Sequence, residues 1–235
     1  MSDAPPLTQD PFPERGRFIT FEGGEGAGKS TQVRLLAEAL RAMGRRVVTT
    51  REPGGSPGAE EIRGLLLSGG ADKWDGVTEL LLHSAARRDH VRKVVLPALE
   101  QGEWVICDRF IDSTRAYQGY GHGVDAADIS DAIRLSIGDL RPDLTLILDM
   151  DVEEGLRRAH GRGQGHDRYE RMGTAFHERL RQGFLTIGWN EPSRCAVIDA
   201  ARPVEDVAGD VLAAAGRLLP ERHVPGRLDP ERLDE

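Results

Sequence analysis

Apolar positions along this chain follow two alternating rhythms. Short, nearly continuous apolar runs lie at 17–22, 46–50 (Arg-Val-Val-Thr-Thr), 103–107 (Glu-Trp-Val-Ile-Cys), 144–149 (Leu-Thr-Leu-Ile-Leu-Asp) and 195–198 (Cys-Ala-Val-Ile). Their length and β-branched content predict strands. Between them apolar residues return every three or four positions, as at Val33, Leu36, Ala37 and Leu40, which predicts helices. These cover 29–43, 58–67, 76–100, 126–137, 152–159, 169–190 and 204–218, with Gly44 ending the first and Pro97 interrupting or bending the third. Apolar strands separated by helices imply an α/β fold of three layers, a parallel sheet of about five strands covered by helices on both faces. Ligands of such sheets bind beyond the carboxyl ends of the strands.

The first strand runs straight into Gly23-Gly24-Glu25-Gly26-Ala27-Gly28-Lys29-Ser30-Thr31, in which Gly23, Gly28, Lys29 and Ser30 fit the spacing G-x-x-x-x-G-K-[ST]. Glycines let the backbone curl around a phosphate chain, and the following helix adds its positive end. Lys29 can reach the β- and γ-phosphates and the Ser30 hydroxyl can hold Mg²⁺. A glycine-rich turn with an incidental lysine is the bland alternative. Strand before and helix after are the context the motif requires, so residues 23–31 are read as an ATP-binding loop. Lysine is otherwise present only at positions 73 and 93.

Other strand ends also carry charge. Thr50-Arg51-Glu52-Pro53-Gly54-Gly55 follows the second, Asp108-Arg109-Phe110-Ile111-Asp112-Ser113-Thr114 the third, and Asp149 and Asp151 the fourth. A single pair such as Asp108-Arg109 is more often a surface ion pair. Beside a phosphate loop, an Asp there suits Mg²⁺, and an adjacent Arg suits a phosphate through its planar fork.

The net charge of −8 argues against a general nucleic-acid binder or a protein of anionic membranes. No apolar run approaches a membrane span, and the N-terminus lacks a signal-peptide core, so a cytoplasmic enzyme is expected. Cys107 and Cys195 lack metal-ligand spacing and read as buried thiols. Residues 1–15 and 220–235, rich in proline and polar residues, read as flexible extensions of a domain at 16–219.

Over roughly residues 16–217 the chain resembles the thymidylate kinase family. The likeness rests on Phe21-Glu22 with the glycine loop, Thr50 to Gly55, Ala85-Ala86-Arg87, Asp108-Arg109-Phe110, Ser113-Thr114-Arg115-Ala116-Tyr117-Gln118-Gly119 and Arg141-Pro142-Asp143-Leu144. No guanine-reading Asn-Lys-x-Asp element is present. The resemblance implies a P-loop fold and a homodimer packed through its longer helices, with ATP and dTMP as substrates and Mg²⁺ on Ser30 and Asp108. Arg51 and Arg109 would hold the dTMP phosphate, with Glu25 near the acceptor's sugar and phosphate. Arg87 would address the thymine carbonyl, Thr114 and Gln118 the base, and Pro53 its methyl group. Tyr117 would crowd the 2′ position, and Ser113 belongs to the same substrate set. One position departs from the pattern: His83 stands where relatives carry a phenylalanine that stacks on thymine.

Residues 157–170 are rich in arginine and glycine. They read either as a soluble loop or as a lid that brings arginine to the transferring phosphoryl group. Ala27 leaves the glycine loop without an arginine, so the resemblance favours the lid type, with Arg158, Arg162 and Arg168 as candidates. Two rival readings are a deoxynucleoside kinase, which needs a carboxylate base for a sugar hydroxyl, and a non-enzymatic nucleotide-dependent switch.

Overall fold

The computed structural model describes residues 15–161 and 168–219. The expected terminal extensions (all but Arg15) and Arg162 lie outside the described residues.

Five parallel strands form one sheet: β1 (Phe18–Gly23), β2 (Val47–Arg51), β3 (Trp104–Asp108), β4 (Leu144–Asp149) and β5 (Cys195–Asp199), in the order β2-β3-β1-β4-β5. β1 is buried along its whole length and lies at the centre of the sheet. Its odd positions, Ile19 and Phe21, enter a core with Leu146 and Leu148 beneath α1 (Lys29–Ala42) and α9 (Val204–Gly216). Its even positions face the other way. Phe18 joins a second core cluster with Val91, Val95 and Ile133, while Thr20 and Glu22 are polar and fully buried. Alternation along one strand thus separates an apolar face from a face that carries chemistry.

The remaining helices are α2 (Pro57–Leu67), α3 (Gly76–His90), α4 (Leu96–Glu100), α5 (Ile111–Thr114), α6 (Ala126–Ile137), α7 (Val152–His160) and α8 (Thr174–Asn190). The expected helix 76–100 is divided by a π-helical stretch, Val91–Val95, ahead of Pro97 in the first turn of α4. Proline lacks an N–H and crowds the preceding turn, which widens there. The expected helix 169–190 begins only at Thr174. Residues before it are drawn into a turn by the Arg168 amide on the Leu67 carbonyl at 3.3 Å and the Met172 amide on Tyr169 at 3.0 Å. A second π-helical stretch, Arg115–Gly121, continues α5. Both cysteines are buried and unpaired. Among the described residues no helix is long and apolar enough to cross a membrane.

Candidate active site

The glycine loop leaves β1 and turns into α1 against the side of α7. Gly26 and Gly155 meet there backbone to backbone, so closely that a Cβ on Gly26 would lie 1.9 Å from the Gly155 carbonyl oxygen. Lys29, the first residue of α1, is buried and donates to the Gly23 and Gly24 carbonyls at 3.1 and 2.7 Å. The Ser30 hydroxyl donates to Asp108 Oδ2 at 2.6 Å, so two hard oxygen donors meet where β3 ends. Ala27 is buried beneath the loop and Thr31 is exposed on the first turn of α1.

Arg109 follows Asp108 with a left-handed backbone, φ 70°, rare for a residue with a side chain. Its Nη1 donates to the Gly23 carbonyl at 3.1 Å and to Ser113 Oγ at 3.2 Å, and its Nη2 donates to Glu25 Oε1 at 2.8 Å. Tyr117 donates to the same Glu25 oxygen at 2.6 Å and lies under the Arg109 guanidinium, 5.1 Å from ring centre to Cζ. A cleft of about 310 Å³ opens from this cluster and reaches Arg51, Pro53, His83, Arg87, Thr114 and Gln118. Arg51 pairs with Glu60 at 2.9 Å. Arg87 is buried, with Nε on Glu52 at 2.7 Å and Nη2 on the Phe110 carbonyl at 3.1 Å. Its Nη1 and the Thr114 hydroxyl are buried without a hydrogen-bond partner.

Sequence reasoning placed these positions on separate segments, and the fold brings them to one cleft. Of the arginines in residues 157–170 read as lid candidates, the described Arg158 and Arg168 do not meet each other at the glycine loop. Arg158, on the last turn of α7, bonds Glu154 at 2.6 Å. Arg168 lies in a buried ion pair in this structure. It is fully buried, its Nη2 paired with Glu79, its Nε on the Leu66 carbonyl at 3.2 Å and its Nη1 on the Ala71 carbonyl at 3.0 Å. Every nitrogen of that guanidinium has an acceptor, and none is presented to the glycine loop.

The family model for thymidylate kinase matches residues 21–211. A thymidylate kinase of Bradyrhizobium sp. (strain ORS 278) is 58% identical over 210 residues, covering 88% of this chain and 92% of the relative. One of Caulobacter vibrioides is 56% identical over 197 residues, 84% and 94% of the two chains. The chain belongs to the thymidylate kinase family. The crystal structure of a thymidylate kinase from Ehrlichia chaffeensis superposes with a TM-score of 0.68 at 40% identity, covering 85% of this chain and 98% of that one.

Within this thymidylate kinase fold the charges around the glycine loop are mutually adjusted. Burial alone would push the Glu25 carboxyl up, but Arg109, Lys29 and the Tyr117 hydroxyl bring it down to about 2. Burial, with the Arg109 charge, pulls the Lys29 ammonium down to about 8. Elsewhere in the cleft, burial and Arg87 draw His83 down to about 4, so its imidazole is neutral at physiological pH. His83 Nε2 lies 3.0 Å from the Tyr169 hydroxyl, which donates to Glu79 at 3.1 Å. That donation leaves the tyrosine oxygen to accept, so His83 carries its proton on Nε2. Glu22, Glu52, Glu79 and Tyr169 were not identified as site residues from the sequence. The signal available for Glu22 and Glu79 was a carboxylate at a position whose rhythm is apolar.

Proposed function

We propose that this chain transfers the γ-phosphoryl group of MgATP to dTMP, giving dTDP and ADP, as a step of dTTP synthesis. The observation that carries the reading is the position of Arg109. One guanidinium touches the glycine loop through Gly23, the loop carboxylate Glu25 and the acceptor side through Ser113. It therefore stands at the junction of the two expected phosphate sites.

ATP lies along residues 23–31, with Lys29 turning from the loop carbonyls to the β- and γ-phosphates. Ser30 and Asp108 offer Mg²⁺ a hydroxyl and a carboxylate, a fit for an ion that keeps most of its shell as water and phosphate. When bound, the ion neutralises charge on the β- and γ-phosphates. dTMP enters the cleft with its phosphate toward Arg109 and Arg51. Pro53 and neutral His83 bound the thymine, Gln118 stands beside it, and Tyr117 crowds the 2′ position. The unpartnered Arg87 Nη1 and Thr114 hydroxyl favour a base that supplies complementary polar atoms, since leaving either unpaired is unfavourable. The acceptor phosphate oxygen attacks in line, and Arg109 and Lys29 stabilise charge spreading over the transferred group. Arg158 and Arg162 remain as lid arginines. Exposed Val77 and Leu81 on α3 and Leu135 on α6 support a homodimer through these helices. The reading carries a cytoplasmic location with it.

A coupled ADP-release assay with dTMP, dUMP, dCMP, UMP and thymidine tests the reading, with Lys29→Ala as control. Strong turnover of dTMP that Lys29→Ala abolishes is expected. Turnover of thymidine alone, or of no acceptor by a folded ATP-binding protein, would overturn it.

A further inference from the structure

Glu22 is a carboxylate at the end of the central strand, wholly withdrawn from water. Burying such a group is unfavourable unless donors surround it. All three of its donors belong to the segment just after β3. The Phe110 amide reaches Oε1 at 2.8 Å, the Ser113 amide reaches the same oxygen at 3.1 Å, and the Ser113 hydroxyl reaches Oε2 at 2.5 Å. These bonds enclose the residues that follow Arg109, whose own left-handed backbone persists only if its surroundings over-determine it.

The serine bond has a second consequence. A hydroxyl has one proton, and Ser113 gives it to Glu22. Its oxygen is thereby left as an acceptor facing Arg109 Nη1 at 3.2 Å. The chain of donation runs from Arg109 to Ser113 to Glu22, with each group orienting the one before it. We propose that Glu22 is a positioning residue for phosphoryl transfer, fixing the backbone and the guanidinium of Arg109 through Ser113. The inference rests on the phosphoryl-transfer reading for its kinetic consequence, though not for its geometry. Burial and Asp112 push the Glu22 carboxyl up to about 7 while Ser113 and Arg109 pull the other way, so the chain of donation is complete where Glu22 is ionised, above that pH.

The test is a cycle of Glu22→Gln, Arg109→Ala and the double variant. A carboxamide keeps an acceptor for the two amides but turns an N–H donor toward Ser113, so folding is retained and the serine bond reverses. Ser113→Ala, which removes only the hydroxyl between the two charges, is the companion variant. Glu22→Gln and Ser113→Ala are each expected to lower kcat by about tenfold, the scale of one hydrogen bond to a charged group, with KM for ATP unchanged. In the Arg109→Ala background Glu22→Gln is expected to have no further effect. The Arg109 guanidinium ¹⁵N resonance, assigned by its loss in Arg109→Ala, should shift in both single variants. An unmoved resonance, or an equal loss of kcat with and without Arg109, overturns the proposal. A wild-type protein that does not turn over dTMP defeats the functional reading instead, and the resonance then decides the role of Glu22.

Discussion

Arg168 and Glu79 are both fully withdrawn from water and paired, and His122 Nε2 stands 3.4 Å from the other Glu79 oxygen. Removing one partner of a buried pair leaves an uncompensated charge and costs about 3–5 kcal/mol, whereas replacing both by neutral groups is far better tolerated. Arg168→Met should therefore lower the unfolding free energy, read from urea titration, by that order, and Arg168→Met with Glu79→Gln should recover part of the loss. Gln118 at 2.9 Å and Tyr169 also donate to Glu79, so the double variant retains a connected network. An arginine that serves the transferred phosphoryl group behaves differently, with kcat falling by about 10³ or more at an unchanged midpoint. That second outcome would reverse the structural placement of Arg168. Sequence alone could not separate the two roles. The arginine and its carboxylate are 89 residues apart, and only the turn before α8 brings them together.

Between elements, the contact most exposed to test is the one between the glycine loop and α7. Alanine is the better helix former by about 1 kcal/mol, so propensity alone predicts that Gly155→Ala stabilises α7. The contact predicts the reverse, because the new Cβ would lie 2.5 Å from the Glu25 carbonyl oxygen. Backbone cannot yield there as a flexible side chain would, and overpacking of this kind costs about 1–3 kcal/mol. Gly155→Ala should lower the thermal midpoint and raise KM for ATP by displacing the loop, and a variant of higher midpoint would refute the packing argument. This scale also shows what was legible before the structure. The observed strand starts lie within one residue of those read from apolar runs, because the composition of each run changes abruptly at its ends; β1, β3 and β4 are buried almost throughout, whereas β2 and β5 at the sheet edges are partly exposed. α5 and the π-helical stretch after it could not be read that way. They carry Thr114, Tyr117 and Gln118 on turns too short for a 3.6-residue rhythm, and it was the likeness to a family that singled those residues out. The helical rhythm of 169–190 runs past the true start of α8 because the Arg168–Met172 turn is held by bonds to α2 and α3, which the local sequence does not encode.

The balance of buried titratable groups sets how stability of the whole molecule depends on pH. Glu25 and Glu79 are held down to about 2, against 4.5 for a free glutamate. From pH 4.5 to 2 the unfolded chain binds protons that the folded one refuses. Their contribution, present above pH 4.5, is lost as pH falls through that window. His83 is drawn down to about 4, so between pH 6.5 and 4 the unfolded histidine takes up a proton first, and stability again falls on acidification. Glu22 has the opposite sign. Raised to about 7, it stays protonated in the folded state while the unfolded carboxyl ionises, so its contribution is complete below pH 4.5 and is lost as pH rises to 7. Each group contributes at most about 1.4 kcal/mol per pH unit, and the Glu22 and His83 windows overlap almost completely. Their slopes oppose, so urea midpoints should be nearly level from pH 5 to 6.5 and drop steeply below 4.5. Glu22→Gln removes the falling arm and should make stability rise with pH across the level region, while His83→Phe should make it fall. Level profiles in both variants would mean that neither group titrates as its surroundings dictate.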